Sequence, residues 1–115
     1  MEKQIELMSM KNRLIKQQKV LKTRIKAEKE RVAPNSLANP DRADLAYDYA
    51  YRDRRLSMLE QLEDQMVETK KALQRIENGT YGQCTNCGDF ILPERLEALP
   101  SAPLCINCQR KAGVN

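Results

Sequence analysis

The chain has 115 residues, of which 41% are hydrophobic and 31% charged, with four Tyr, one Phe and no Trp. So few aromatic residues favour a thin fold over a globule with a large core. Histidine is absent, which excludes His-based catalysis and His-ligated metals. No apolar run approaches the roughly 18 residues of a membrane span, and the first residues lack the apolar stretch of a signal peptide. We therefore expect a cytoplasmic protein without membrane contact.

The net charge of +4 is unevenly distributed along the chain. Residues 1–33 carry ten Lys and Arg against four Asp and Glu, residues 34–83 carry seven against nine, and residues 84–115 carry three against three. The basic excess therefore belongs to the first third of the chain. A basic helix of this kind suits either contact with a polyanion or simple solvation.

The first predicted element is a long amphipathic helix. Pro and Gly are absent from Glu2 to Val32, and helix-forming residues dominate. Lys11, Gln18 and Glu28 interrupt an apolar stripe that otherwise recurs at helical intervals. The stripe consists of Leu7, Leu14, Leu21, Ile25 and Val32.

A second long helix is predicted from Asp41 to Glu77, again without Pro or Gly. Between the two helices, residues 33–40 contain two prolines and read as a turn, with Asn39 as N-cap and Pro40 at the first helical position. A short connection between amphipathic helices favours an antiparallel hairpin, in which each helix buries the stripe of the other. The sequence thus predicts a mainly α fold, with a coiled-coil hairpin over residues 1–78, its tip at 33–46, and a small four-cysteine lobe over 79–115.

All four cysteines lie in that last segment, as two C-x2-C pairs. Cys84 with Cys87 and Cys105 with Cys108 are separated by residues 88–104, a spacing typical of a tetrahedral zinc site. Four thiolates leave no open coordination position, so one structural zinc ion is predicted and zinc hydrolysis is disfavoured. Disulfides and an iron site remain alternatives with the same ligands.

The lobe is too short to fold on a large apolar core, so the metal is expected to supply much of its stability. Pro93 begins a predicted short helix to Leu99, and any helix after Cys108 has a turn or two at most. The second long helix should end at Asn78-Gly79. The expected lobe core consists of Tyr81, Phe90, Ile91, Leu92, Leu96, Leu99 and Leu104.

Three motifs together resemble the DksA/TraR-type zinc finger family. G-T-Y-G-x-C-x-x-C-G begins at Gly79, R-L-E-A-x-P begins at Arg95, and D-x-x-D-x-A begins at Asp41. The resemblance implies a bacterial transcription regulator that binds RNA polymerase directly and not DNA, inserting the coiled-coil tip through the secondary channel. Asp41, Asp44 and Ala46 would carry the tip function, and the zinc lobe would hold the base of the hairpin. The protein would be a monomer, not an enzyme.

The alarmone (p)ppGpp is not an expected ligand. In the family, basic residues near the junction of hairpin and lobe mediate the alarmone response, and the corresponding positions here are Glu68, Leu99 and Gln109. None of the three is basic. The resemblance therefore implies polymerase binding without alarmone dependence.

Two other functions share parts of this pattern. GATA-type DNA-binding fingers use a similar cysteine spacing but follow it with a basic tail, whereas residues 84–115 here are neutral. An adaptor whose hairpin binds another protein groove is the third possibility. The two aspartates also have a purely structural explanation, because acidic residues stabilise the first turn of a helix.

Overall fold

The computed structural model describes residues 2–32 and 45–112 of the chain, which form four helices. These are α1 (Glu2–Val32), α2 (Leu45–Asn78), α3 (Pro93–Ala98) and α4 (Ile106–Lys111). The described part contains no strand, and its one isolated β-bridge pairs Gln83 with Phe90. The predicted mainly α fold, a helical pair with a four-cysteine lobe, is confirmed.

Two compact units make up the described residues, and each long helix contributes to both. One unit combines Met1–Gln18 with Val67–Asn115, and the other is Lys19–Met66. This division follows the packing of the helices and is not a test of the predicted domain boundary at residue 78, which stays a prediction.

In the first unit, α1 and α2 pack through small and apolar residues. Leu14, Thr69 and Ala72 are fully buried. Gln17 Nε2 donates a hydrogen bond to Thr69 Oγ1 at 3.2 Å, which joins the two helices side by side. Leu14 belongs to the predicted stripe, whereas Leu7 at the same interval is 37% exposed.

In the second unit, the two helices bury both leucines and charged groups. Leu21 and Leu62 are buried, as are the carboxylates of Glu28 and Asp48. Glu28 Oε1 accepts hydrogen bonds from Arg31 at 2.7 Å and from Arg55 on α2 at 3.1 Å. The residue that interrupts the apolar stripe in the sequence is thus accommodated by two guanidinium partners.

The ends of the helices agree with the predicted signals wherever the structure describes them. α1 occupies the predicted Glu2–Val32, and α2 ends at Asn78 because Gly79 adopts a φ of 81°. The backbone N–H of Thr80 then donates to the carbonyl of Arg75 at 2.9 Å, which satisfies one of the last helical carbonyls. The predicted turn, with Asn39, Pro40, Asp41 and Asp44, lies outside the described residues.

The lobe core is smaller than the sequence suggests. Cys84, Ile91 and Cys108 are buried together, and Leu96, Leu104 and Cys105 pack against them. Three residues predicted for this core are instead exposed, with accessible fractions of 78% for Phe90, 60% for Leu92 and 46% for Leu99. That expectation was wrong. Phe90 and Leu92 flank Ile91 in an extended segment, where successive side chains alternate and only Ile91 points inward.

Candidate metal centre

The first cysteine pair lies in a tight hydrogen-bonded turn. The backbone N–H of Cys84 donates to the carbonyl of Asp89 at 2.7 Å, and that of Gly88 donates to the carbonyl of Cys84 at 3.0 Å. Gly88 has a φ of 82°, a conformation that side chains with a Cβ rarely adopt. The turn therefore brings the thiols of Cys84 and Cys87 to the same side.

The second pair lies at the beginning of α4. Cys105 precedes the first residue of this helix and Cys108 lies within it, where it is 7% exposed. The N–H of Gln109 donates to the carbonyl of Cys105 at 2.9 Å, which closes the helical turn between the two cysteines. A bond from the N–H of Thr85 to the carbonyl of Pro103, also 2.9 Å, ties the first turn to this second segment.

All four sulfur atoms converge on one point. They lie within 4.8 Å of one another, and Sγ of Cys87 is 3.8 Å from Sγ of Cys105. A tetrahedral zinc ion with zinc–sulfur bonds of about 2.3 Å places its sulfur ligands about 3.8 Å apart. The four thiols thus fit zinc in number, chemistry and separation, and none of them is joined in a disulfide.

The thiols do not ionise independently of one another. Hydrogen bonding, chiefly from the backbone N–H of Cys87, lowers the pKa of Cys84 to about 6. At Cys87, a backbone N–H from Asp89 acts to lower the pKa, but burial and the neighbouring thiols outweigh it and raise the pKa to about 12. The cluster thus stabilises one thiolate, at Cys84, and opposes the ionisation of Cys87. A bound cation would remove this opposition, because its positive charge stabilises all four thiolates.

A hydrogen bond from outside the cysteine set also supports the site. Asn86 Nδ2 lies 3.4 Å from Cys108 Sγ and donates to it. Donors to ligand sulfur atoms stabilise the thiolate form and orient the ligand. The sequence analysis did not single out Asn86, although its place between the first two cysteines was a usable signal.

Hydrogen bonds within the lobe explain several residue types in the motifs that begin at Gly79 and at Arg95. Tyr81 Oη donates to the carbonyl of Pro100 at 2.7 Å, and Arg95 Nε donates to the carbonyl of Leu104 at 3.0 Å. Gly82 has a φ of 86°, which disfavours residues with a Cβ, and a Cβ added there would lie 3.7 Å from Leu96 Cδ1. Burial raises the pKa of Tyr81, so the phenol stays protonated and able to donate.

The long helices also support the lobe, through two arginines. Arg13 Nη2 on α1 donates to the carbonyl of Glu97 at 2.9 Å, and Arg75 on α2 lies 3.5 Å from the carbonyl of Ser101. Sequence reasoning missed Arg13, because its partner lies 84 residues further along the chain. No local pattern signals a contact of that range.

Only some of the other predicted functional residues lie within the part of the chain that the structure describes. Asp41 and Asp44 lie outside the described residues, and Ala46 falls in the first turn of α2. Among the positions related to the alarmone response, Glu68 is half-buried with its Oε1 4.0 Å from Lys71 Nζ, Leu99 is exposed, and Gln109 is half-buried. The roles assigned to Asp41, Asp44 and Ala46 therefore stay predictions.

A cysteine-rich lobe with closed four-thiol geometry defines the C4 zinc-finger class. Residues 79–112 match the family model described as the prokaryotic dksA/traR C4-type zinc finger. The structure is similar to that of transcription factor DksA2 from Pseudomonas aeruginosa, with a TM-score of 0.81 and 29% identity, covering 95% of this chain and 84% of that one.

Two curated relatives agree with these matches. The RNA polymerase-binding transcription factor DksA of Escherichia coli (strain K12) is 36% identical over 63 residues, which are 55% of this chain and 37% of that protein. The factor of the same name from Caulobacter vibrioides (strain NA1000 / CB15N) is 26% identical over 106 residues, covering 92% of this chain and 70% of that protein. The lobe thus matches the dksA/traR zinc finger, and the chain as a whole is similar to proteins of the DksA/TraR family. The aligned region spans little more than a third of the Escherichia coli relative.

Proposed function

We propose that this protein is a bacterial transcription regulator that acts by binding RNA polymerase. The observation that carries the proposal is the similarity to transcription factor DksA2, which extends over 95% of the chain and so includes both long helices as well as the lobe. Relatives named RNA polymerase-binding transcription factors support the same partner. No helix within the described ranges is both long and apolar enough to cross a membrane.

The zinc lobe serves this function as a structural element. One zinc ion held by Cys84, Cys87, Cys105 and Cys108 would fix the two cysteine turns relative to each other. Supporting this assignment are the convergence of the four sulfur atoms and the family match over residues 79–112. A four-thiolate site leaves the metal without a position for substrate, so the proposed role is regulation and not catalysis.

The residues that act on the polymerase are proposed to be Asp41, Asp44 and Ala46. They form the family's D-x-x-D-x-A motif, next to the turn that the sequence predicts between the two long helices. In this proposal the tip enters the secondary channel, where its two carboxylates affect initiation at close range. The protein then needs no sequence-specific contact with promoter DNA, in keeping with the neutral charge of residues 84–115.

A paired substitution tests the tip. Asp41→Asn with Asp44→Asn removes both charges and keeps the side-chain shape and capping ability of Asn. The helix-dipole term predicts a stability loss of at most about 1–2 kcal/mol for the pair. We expect unchanged polymerase affinity in a competition-binding assay and lost regulation in transcription in vitro from a sensitive promoter.

A matched control carries the same charge change elsewhere on α2. Asp53 and Asp64 are exposed, so Asp53→Asn with Asp64→Asn should leave both binding and regulation unchanged. Wild-type regulation by the folded, polymerase-bound tip variant would overturn the tip mechanism. Failure of the wild-type protein to co-purify with core RNA polymerase would overturn the proposed function as a whole.

A further inference from the structure

Each cysteine pair contains an asparagine in the same place, and the two asparagines make different contacts. Asn86 comes directly before Cys87 and Asn107 directly before Cys108, and both are exposed. The Nδ2 of Asn86 donates a hydrogen bond to Sγ of Cys108, which belongs to the other pair, at 3.4 Å. Within the part of the chain that the structure describes, the side chain of Asn107 makes no hydrogen bond. The two residues therefore share their type and position but not their contact with a ligand.

Main-chain groups supply the other N–H donors that act on the thiols. Three backbone N–H groups, led by that of Cys87, stabilise the thiolate of Cys84, and the backbone N–H of Asp89 acts in the same way on Cys87. Among the described residues, Asn86 alone directs a side-chain N–H at one of the four sulfur atoms. It is therefore the residue at which a donor can be removed by substitution while every ligand stays in place.

The sulfur atom that receives this donor has little access to water. Cys108 is 7% exposed, so solvent contributes little to the stability of its thiolate. Four thiolates exceed the charge of one zinc ion, so the loaded cluster stays negative, and an N–H donor offsets part of that charge. A zinc-bound thiolate accepts hydrogen bonds but donates none, so the amide nitrogen of Asn86 can face it and the amide oxygen cannot.

We propose that Asn86 is a positioning residue for the metal, which determines through Cys108 how tightly the lobe retains zinc. This inference rests on the zinc site of the proposed function. The bond from Asn86 crosses from the first cysteine pair to the second, as does the backbone bond from Thr85 to Pro103. It thus orients the Cys108 thiolate while stabilising its charge. Because Asn86 is exposed, the residue type at this position adjusts zinc retention without altering any ligand.

A role of Asn86 in the local turn makes a different prediction. Asn and Asp both favour tight turns, because their side chains bond to the nearby backbone. Asn86→Asp therefore keeps the size and the turn preference but replaces the N–H donor with a charged acceptor. Asn86→Ala removes the donor without adding charge. If the donor matters, the Asp variant should retain zinc least well, whereas a turn role makes the Ala variant the weakest.

Competition with a colorimetric chelator measures the zinc dissociation constant of the whole, reduced protein. Outer partners of metal ligands typically contribute 10–100-fold to metal affinity, so we expect zinc binding about tenfold weaker in Asn86→Ala and about 100-fold weaker in Asn86→Asp. Cobalt(II) in place of zinc gives a spectroscopic measurement. The thiolate-to-cobalt charge-transfer band should move to longer wavelength in both variants, because a thiolate that has lost its donor is richer in electrons.

Asn107 supplies the matched controls. Asn107→Ala and Asn107→Asp make the same two changes directly before Cys108, so they bring the same new charge near the cluster without removing a donor. Both should keep the zinc dissociation constant within about threefold of the wild-type value. Wild-type affinity in Asn86→Asp, an unmoved cobalt band, or equal losses at both positions would overturn the inference and leave the zinc site intact. A wild-type protein that binds neither metal would overturn the zinc assignment and the inference together.

Discussion

The zinc-finger lobe and the paired long helices obtain their structure from different interactions. In the lobe, four thiols converge within 4.8 Å, and the three partly buried residues Leu96, Leu104 and Cys105 pack against a buried set of only three. In the helical pair, Leu14, Leu21 and Leu62 are spread along the helices, and the buried Glu28 lies among them. The lobe depends on one point of convergence, whereas the helices depend on a repeated pattern.

This difference determines how each region responds to a change. Loss of one thiol removes a ligand from the four-thiol cluster on which the lobe is centred, so the effect should extend through the whole lobe. Loss of one helical contact leaves the neighbouring turns in place, so the effect should stay moderate. The charged contact at Glu28 is the exception to test, because burial makes an unpaired charge costly.

Zinc removal should give the largest effect. A structural zinc ion contributes an apparent stability of about 10–16 kcal/mol at neutral pH, far more than the small apolar core of the lobe can replace. We expect chelation, or Cys108→Ser, to unfold the lobe while circular dichroism shows much of the long helices retained. Elemental analysis should find one zinc per chain in freshly purified, reduced protein. Its absence, or a stable disulfide in its place, would contradict the assignment.

Glu28→Gln should give the next largest effect, within the helical pair. Its carboxylate is 5% exposed, its Oε1 accepts hydrogen bonds from Arg31 and Arg55, and its Oε2 is buried without a partner. Because both arginines remain partly exposed, water screens the loss, and we expect a destabilisation of about 1–3 kcal/mol. The midpoint of urea unfolding, followed by helical circular dichroism, measures it.

Glu30 provides the control for this prediction. It lies two residues away on the same helix and is exposed. Glu30→Gln should change stability by no more than about 0.5 kcal/mol. Equal shifts of the unfolding midpoint in the two variants would mean that the contacts of Glu28 with Arg31 and Arg55 add no stability. The helical pair would then be stabilised by its apolar pattern alone.

The helices show what the sequence could predict. The bounds of α1 follow from an uninterrupted run without Pro or Gly, and the end of α2 follows from Asn78-Gly79, where only local chemistry is involved. The convergence of the four cysteines was equally predictable, since paired cysteines at this spacing have few uses other than metal binding. In both cases the decisive residues are close in sequence or of a type with one dominant role.

Predictions failed where the outcome depended on a partner distant in sequence. Phe90 and Leu92 are apolar but exposed, because a lobe centred on four sulfur atoms encloses only Ile91 from its extended segment. Glu28 disturbs the helical period in the sequence, yet Arg55, 27 residues away, accommodates it. Such partners depend on the register between the helices, which the periodicity alone does not specify. The roles of Asp41 and Asp44 stay predictions.

The smallest expected effect is that of (p)ppGpp on transcriptional regulation by this protein. A nucleotide with four or five phosphates needs clustered cationic donors, and the related positions carry Glu68, Leu99 and Gln109. An acidic or apolar side chain cannot replace a guanidinium or an ammonium group. Adding the alarmone should therefore change transcriptional regulation by this protein less than about twofold.

Transcription in vitro measures this effect on a sensitive promoter. The effect of the alarmone in reactions without the protein is measured as the control and subtracted. Lys70 and Lys71 supply nearby positive charge, although Lys71 Nζ already lies 4.0 Å from Glu68 Oε1. A large synergy that disappears in Lys70→Gln with Lys71→Gln would show that these lysines replace the missing cations. In that case the unit that combines Met1–Gln18 with Val67–Asn115 would bind a small anion in addition to the proposed zinc ion.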